Sequence, residues 1–129
     1  MKTALVAEDD PVARFLMAET LRDLGLQSDI CGDGLDCVEW LAGAPSKYAA
    51  VFLDIHMPLV KGTEVVGLIR AILEDRNLAT PVIAVSSDLV WHREGGWAEA
   101  GFDAAFDKPA SGAVLREALV AFGVLDGAA

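Results

Sequence analysis

The sequence predicts a doubly wound α/β domain, (βα)5, in which a five-stranded parallel sheet carries helices on both faces. Short apolar runs alternate with amphipathic stretches along the chain, and the central run is apolar at every position. Parallel strands need crossover connections, which are usually helices, so strict alternation favours this class. The 129 residues contain no repeat or linker, and we expect residues 1–129 to form one domain without an output domain.

The first two strand–helix units occupy the N-terminal third of the chain. Residues 5–7 form an apolar strand, and the following helix has one apolar face: Ala13, Met17, Leu21 and Leu24. Gly25 is suited to end that helix, because glycine tolerates the left-handed conformation found there. Residues 28–31 form a weak second strand, and a helix is predicted from about Asp33 to Leu41.

The third unit provides the centre of the sheet. Residues 49–53 are all apolar, as expected for a strand covered on both faces. Gly62 opens the next helix, whose apolar face is predicted to contain Val65, Leu68, Ile69, Ile72 and Leu73.

The sequence patterns of the last two strand–helix units differ in strength. Residues 81–85 form a β-branched fourth strand, and residues 103–107 a short fifth strand. Between them Trp91 and Trp97 favour a helix, but each of Gly95 and Gly96 weakens it by about 1 kcal/mol. The closing helix has an apolar face formed by Leu115, Ala118, Leu119 and Phe122.

Right-handed crossovers leave few ways to order five parallel strands. The commonest is the flavodoxin-like order 2-1-3-4-5, which we predict here. Ligands of such sheets bind beyond the carboxyl ends of the strands, so the residues at those ends are the candidates for function.

Composition and charge exclude several partners. The net charge of −10 argues against direct binding to nucleic acid or to an anionic membrane. We expect neither a signal peptide nor a membrane-spanning segment, because the sequence contains no apolar run of the required length. Cys31 and Cys37 are too few for a disulfide scaffold, which favours reduced thiols and a cytoplasmic location.

Acidic residues follow two strands that are adjacent in the predicted order. Glu8, Asp9 and Asp10 come after the first strand, and Asp54 comes after the third. Two carboxylates about 4 Å apart repel by roughly 4 kcal/mol at an effective dielectric of 20, so such a cluster retains protons or binds a cation. Only oxygen donors are available at these positions, which favours Mg²⁺ over zinc.

An aspartate can itself attack phosphorus and form an aspartyl phosphate. We predict Asp54 as this nucleophile, with Mg²⁺ held by Asp9 and Asp54 and, through water, by Glu8. Lys108 and Ser86, at the ends of the fifth and fourth strands, would bind other phosphoryl oxygens.

Each of these residues also has an ordinary structural explanation. Asp10 before Pro11 is equally suited to cap a helix, and Lys108-Pro109 alone is typical of a turn. Ser86 can simply end a strand, and His56 can be a solvated loop residue. The occurrence of all the elements in order on the strand ends favours the functional interpretation.

These motifs resemble the receiver domain of two-component response regulators over essentially the whole chain. The carrying segments are Val6-Ala7-Glu8-Asp9-Asp10-Pro11, Asp54-Ile55-His56-Met57-Pro58 with Gly62, Ser86, and Lys108-Pro109. The resemblance implies phosphorelay signalling, with Mg²⁺ as cofactor and a histidine kinase or histidine phosphotransfer protein as donor. It also implies Asp9, Asp54 and the backbone carbonyl of His56 as metal ligands, and a phosphoacceptor that phosphorylates and dephosphorylates itself rather than a conventional enzyme.

Two positions depart from the family pattern. Ala105 stands where receivers usually carry an aromatic switch residue, while Phe106 is expected to face the other way along the strand. Ala110 stands where a bulky apolar residue is common. We therefore expect signalling through the region of Trp91, Gly95, Gly96 and Trp97, or service mainly as a phosphoryl relay.

His56 and Asp88 are predicted to tune the access of water to the aspartyl phosphate. An Asp-nucleophile phosphohydrolase usually has a second acid two residues after the nucleophile, where this chain has His56. A flavin-binding protein would not place three acids after the first strand. A receiver-like interaction module with vestigial phosphorylation remains the serious alternative, because of Ala105.

Overall fold

The computed structural model describes residues 1–55, 62–87 and 96–127. Its strands are β1 (Thr3–Ala7), β2 (Gln27–Cys31), β3 (Tyr48–Asp54), β4 (Val82–Ser86) and β5 (Ala104–Asp107). Its helices are α1 (Pro11–Asp23), α2 (Gly34–Gly43), a 3₁₀ turn (Pro45–Lys47), α3 (Gly62–Asp75), α4 (Gly96–Ala100) and α5 (Gly112–Ala121). Within the described residues no helix combines the length and the apolar character needed to cross a bilayer.

The five strands form one parallel sheet in the order β2-β1-β3-β4-β5, which confirms the predicted topology. Ala7 is paired with Cys31 on one side and with Leu53 on the other. Ser86 is paired with Asp107 at the far side of the sheet. This register aligns the carboxyl ends of the strands, so the polar residues that follow them lie along one edge.

Two apolar cores lie on opposite faces of the sheet. The first joins the sheet to α2, α3 and α4, and contains Cys37, Leu41, Val65, Ile69 and Leu73 together with inward residues of the strands. The second joins the sheet to α1 and α5, and contains Leu21, Leu115 and Leu119. Every residue of β1 is buried, because this strand has a neighbour on each side and helices on both faces.

Side-chain caps fix where three helices begin. Asp10 accepts a hydrogen bond from the Ala13 N–H at 2.8 Å, and Asp33 accepts one from the Asp36 N–H at 2.8 Å. Ser111 caps α5 in the same way. Each cap satisfies an amide that has no partner within its helix, so the helices start directly after the strand-end loops. Gly25 follows α1 with φ of 87°, as a C-terminal glycine requires.

Three sequence-based predictions about helices need correction or limitation. Leu68 and Phe122 are 49% and 38% exposed, so they do not belong to the buried faces predicted for α3 and α5. Val66 takes the buried position in α3, and Val124, after the end of α5, is buried near Leu119. The predicted Trp97 helix is short and its tryptophan partly buried, whereas Trp91 and Gly95 lie outside the described residues.

Gly34 allows close contact between α2 and α3. A Cβ atom at this position would lie 2.4 Å from Cγ2 of the buried Val65. We expect Gly34→Ala to lower the free energy of unfolding by about 1–3 kcal/mol, because a packed core must shift to admit the methyl group. Urea denaturation followed by circular dichroism measures this change.

Gly67 provides the matched control for that substitution. It is exposed in α3, and an added Cβ meets nothing within 4 Å. Gly67→Ala is expected to raise the free energy of unfolding by up to about 1 kcal/mol, since alanine favours the helix. Equal effects of the two substitutions would contradict the close α2–α3 contact.

Candidate functional site

Four polar residues meet at the carboxyl edge of the sheet. Glu8 and Asp9 follow β1, Asp54 ends β3, and Lys108 follows β5. The β1–β3 pairing brings the two acidic strand ends together, and the Lys108 N–H donates to the Ser86 carbonyl at 3.2 Å. That bond fixes the start of the β5–α5 loop against β4, which directs the lysine toward the centre of the edge. The peptide bond that follows, Lys108–Pro109, is cis.

Lys108 forms ion pairs with two buried carboxylates. Its Nζ lies 2.7 Å from Asp54 Oδ2 and 2.5 Å from Glu8 Oε1. Glu8 and Asp54 are only 4% and 7% exposed, so their charges are shielded from bulk water. Ion pairs strengthen in such a low-dielectric environment. Among the described residues, Lys108 is the main counter-charge of Glu8 and Asp54.

Glu8, Asp9 and Asp54 form an acidic cluster that could hold a metal ion. One carboxylate oxygen from each residue lies within 4.8 Å of the others, and Asp9 is exposed to solvent. The Asp9 N–H donates to Glu8 Oε2 at 3.1 Å, which orients the glutamate within the cluster. Three hard oxygen donors with an open side suit Mg²⁺, an ion that keeps several of its waters.

Burial changes the protonation of the pair that Lys108 contacts. It raises the pKa of Glu8 to about 7, the neighbouring Asp54 adds to the rise, and Lys108 opposes it. Burial by itself lowers the pKa of Lys108, but the hydrogen bonds that its ammonium group donates to Asp54 and Glu8 outweigh this effect and raise the pKa above its ordinary value. The lysine is therefore charged at neutral pH, whereas the glutamate takes up a proton close to neutrality.

The raised pKa of Glu8 predicts how stability depends on pH without metal. The folded state holds this proton up to about pH 7, whereas the unfolded chain releases it near 4.5. The stability that Glu8 contributes is therefore complete below pH 4.5 and is lost as the pH rises through 7. Relative to wild type, Glu8→Gln should gain stability over this interval in EDTA, measured by urea denaturation. A difference independent of pH would contradict this assignment.

The other residues predicted for the site lie at nearby strand and helix ends or outside the described residues. Ser86 is fully buried at the end of β4, and Ser87 lines the same cavity as Asp54 and Lys108. Asp10 caps α1, in agreement with its structural interpretation, and also borders that cavity. His56 and Asp88 lie outside the described residues, so their predicted roles stay predictions.

The direction of β5 side chains agrees with the alternation predicted from sequence. Ala105 packs with the core shared by α2, α3 and α4, while Phe106 packs with the core of α1 and α5. Ala105 is paired with Ala84, two residue pairs before Ser86 and Asp107. The aromatic ring therefore lies on the opposite face from the position at which receivers usually carry one.

Sequence reasoning did not identify the apolar surroundings of the site. Val12, Leu16 and Ala110 line a cavity that reaches Asp54 and Lys108. The direct contact between Glu8 and Lys108 was also not foreseen. The small residue at position 110, next to Lys108-Pro109, was the available signal for the cavity.

Comparison with known proteins agrees with this arrangement. The family model "Response regulator receiver domain" matches residues 4–120. The chain is 34% identical over 128 residues to the peroxide stress-activated histidine kinase mak2 of Schizosaccharomyces pombe; the match covers 97% of this chain and 6% of that protein. The chain thus corresponds to a small part of this curated relative.

Two solved structures share the fold. The receiver domain of sensor histidine kinase PA1611 from Pseudomonas aeruginosa PAO1, described with a magnesium ion in its active-site cleft, superposes with a TM-score of 0.80 at 26% identity, covering 94% of this chain and 96% of that one. The Saccharomyces cerevisiae complex of phosphotransfer protein Ypd1 with the Ssk1 receiver domain gives 0.79 at 16% identity, with 95% and 88% covered. Sheet order, strand-end residues and family match agree, and the chain belongs to the response regulator receiver domain family of two-component and phosphorelay signalling.

Proposed function

We propose that this domain accepts a phosphoryl group on Asp54 from a phosphohistidine. The contact of Asp54 with Lys108, beside the acidic pair Glu8 and Asp9, is the observation that carries the proposal. A carboxylate, an ammonium group and a candidate metal site thus lie together at one edge of the sheet. Such an arrangement supplies the positioning and charge neutralisation on which phosphoryl transfer depends.

The chemical step requires only one new bond on the protein. A carboxylate oxygen of Asp54 attacks phosphorus, and an O–P bond forms as the P–N bond to the donor imidazole breaks. The imidazole nitrogen leaves with the electron pair and is protonated from solvent. Later attack by water on phosphorus releases inorganic phosphate and regenerates the carboxylate, so the domain catalyses its own dephosphorylation.

We propose Asp9 and Asp54 as direct ligands of Mg²⁺, with Glu8 acting through water and the His56 carbonyl completing the set. The three carboxylates fit this ion in donor type and spacing, and the similar PA1611 receiver is described with magnesium in its cleft. When bound, Mg²⁺ offsets negative charge on the phosphoryl oxygens. Asp9 is the exposed member of the cluster and the one that an ion reaches from solvent.

Lys108 and Ser86 complete the environment of the phosphoryl group. The ammonium group lies 2.7 Å from Asp54 Oδ2, so it needs little movement to bind an oxygen of a phosphoryl group attached to Asp54. We propose that the Ser86 hydroxyl binds another oxygen from the end of β4. Both groups act by hydrogen bonding to charge that accumulates as the O–P bond forms.

We propose a histidine kinase or a histidine phosphotransfer protein as the donor. The curated relative mak2 is itself a histidine kinase that contains a segment similar to this chain. Small phosphodonors should also serve, because the positioning groups belong to the receiver and not to the donor. The downstream partner would then recognise the phosphorylated domain.

The proposed function is tested by intact-protein mass spectrometry after incubation with acetyl phosphate. We expect addition of one phosphoryl group in Mg²⁺ and no addition in EDTA, because the clustered carboxylates need a cation before they can approach a phosphate. Rapid hydrolysis could prevent detection of the phosphoryl group, so the protein is also incubated with beryllium fluoride, which forms a stable mimic of that group. Absence of both adducts would favour an interaction module without phosphotransfer.

A further inference from the structure

The two cysteines of the chain lie side by side in the core that joins the sheet to α2. Cys31 is the last residue of β2, Cys37 belongs to α2, and both are free thiols. A side-chain hydrogen bond between them lowers the pKa of Cys31 and raises the pKa of Cys37. The chain contains no third cysteine, so an intrachain disulfide can form only between these two. The proposed phosphoryl chemistry uses neither thiol.

Burial of this thiol pair limits the products that an oxidant can form from it. Cys31 is 2% exposed and Cys37 is fully buried, so a bulky group attached to either sulfur would have to displace packed core atoms. A disulfide adds no atoms and removes two hydrogens, and it therefore fits the same space. Cys31 directly precedes Gly32 and Asp33, which are only partly buried, so a molecule as small as hydrogen peroxide can approach it from that side.

Cys31 is also connected to the acidic edge of the sheet through the backbone. Its carbonyl accepts a hydrogen bond from the Glu8 N–H at 3.0 Å, and its thiol donates to the Val6 carbonyl at 3.3 Å. Glu8 contacts Lys108 with one carboxylate oxygen and accepts from the Asp9 N–H with the other. A displacement of Cys31 is therefore transmitted to two residues of the candidate metal site.

We propose that Cys31 and Cys37 form a redox-responsive thiol pair, and that their oxidation to a disulfide by a hydroperoxide slows phosphorylation of Asp54. The effect on Asp54 rests on the function proposed above. A disulfide bond is about 2.05 Å long, so the two sulfur atoms must move from non-bonded contact to bonding distance. Cys31 also loses the proton that it donates to Val6. Both changes act on the end of β2 that accepts the hydrogen bond from Glu8.

The oxidation converts two thiols and one hydrogen peroxide into a disulfide and two water molecules. The Cys31 sulfur attacks one peroxide oxygen, and the O–O bond breaks as the other oxygen leaves with the electron pair and takes up the thiol proton. The Cys37 sulfur then attacks the sulfur of the resulting sulfenic acid. The S–O bond breaks, and the oxygen leaves as water with the proton from Cys37. Each sulfur loses one electron, and dithiothreitol reverses the reaction by thiol–disulfide exchange.

The first part of the test measures whether the pair forms a disulfide. Reduced wild type is treated with hydrogen peroxide in the folded state and analysed by intact mass. We expect the loss of two hydrogens and the recovery of both thiols in dithiothreitol. Cleavage of the chain at Asp33 or Asp36, between the cysteines, should leave the two fragments joined until the reductant is added. Oxygen addition to Cys31 alone, or disulfides only between two chains, would overturn the inference.

The second part compares phosphorylation by acetyl phosphate in Mg²⁺ before and after oxidation. The oxidised protein should react about tenfold more slowly, because small displacements of positioning groups are costly in rate. Dithiothreitol should restore the rate, and this comparison within one protein requires no substitution. In ¹⁵N NMR spectra without Mg²⁺, the amide resonance of Glu8 should shift on oxidation, since its hydrogen-bond acceptor moves.

Cys37→Ala is the matched control, because it keeps every methionine and cannot form the disulfide. Its rate should lie within about twofold of reduced wild type and should not respond to peroxide. An equal loss of rate in oxidised Cys37→Ala would assign the effect to another residue and overturn the inference. A disulfide that leaves the rate unchanged would also overturn it. If reduced wild type accepts no phosphoryl group, the proposed function itself is contradicted, whereas the mass analysis still decides whether the thiol pair is oxidised.

Discussion

Asp54→Asn is expected to leave the protein unable to acquire a phosphoryl group from acetyl phosphate. Asparagine preserves the size of the side chain, but its amide is not a nucleophile toward phosphorus. Loss of a nucleophile typically costs several orders of magnitude, and we expect at least about a thousandfold lower rate. Intact mass and peptide mapping in Mg²⁺ give the rate and the modified position.

Asp23→Asn is the matched control for this prediction. Asp23 is the exposed last residue of α1, a helix of 13 residues, which places it about 20 Å along the helix from the acidic edge. Its substitution should leave phosphorylation unchanged. A phosphoryl group found on Glu8 or Asp9 in Asp54→Asn would show that the edge of the sheet is reactive but that Asp54 is not its specific nucleophile.

Lys108→Met is expected to reduce the rate of phosphorylation by about 10²–10³-fold, the usual cost of removing one donor from a site where charge develops. Methionine retains a flexible linear chain, so the substitution removes mainly the ammonium group. It should also lower the free energy of unfolding in EDTA by roughly 1–3 kcal/mol, because Glu8 and Asp54 lose their shared partner. Added Mg²⁺ should restore most of this stability.

Lys47→Met controls for the loss of a paired lysine elsewhere. Lys47 is half exposed and lies 2.8 Å from Asp29 at the β2 edge of the sheet. Its removal should change neither phosphorylation nor the response of stability to Mg²⁺. A normal phosphorylation rate in Lys108→Met would show that the metal alone neutralises the phosphoryl group, and would contradict the proposed role of the lysine.

Local patterns in the sequence predicted most of the fold. The order of the strands followed from alternation and from the handedness of crossovers, and the N-cap of α1 followed from Asp10 before Pro11. Alternation along β5 also predicted that Ala105 and Phe106 face opposite cores. These features depend on neighbouring residues, which are visible in the sequence.

Features that depend on packing between distant elements were less accessible. Leu68 satisfies the helical spacing of α3, but the helix is rotated so that Val66 is buried instead. The contact of Lys108 with Glu8 joins residues 100 positions apart, and the sequence predicted each only as a separate contributor to the site. The cavity beside Asp54 is a gap between side chains, and no residue pattern encodes a gap directly.

Ala105 has a consequence for how the protein transmits a signal. Alanine has no χ1 angle, so position 105 cannot alternate between an inward and an outward rotamer if Asp54 is phosphorylated as proposed. Information carried from this domain must therefore be stored in the backbone, in other side chains, or in the phosphoryl group itself. A domain that only accepts the phosphoryl group and passes it on needs no second conformation. Alanine at position 105 would not impair such a domain.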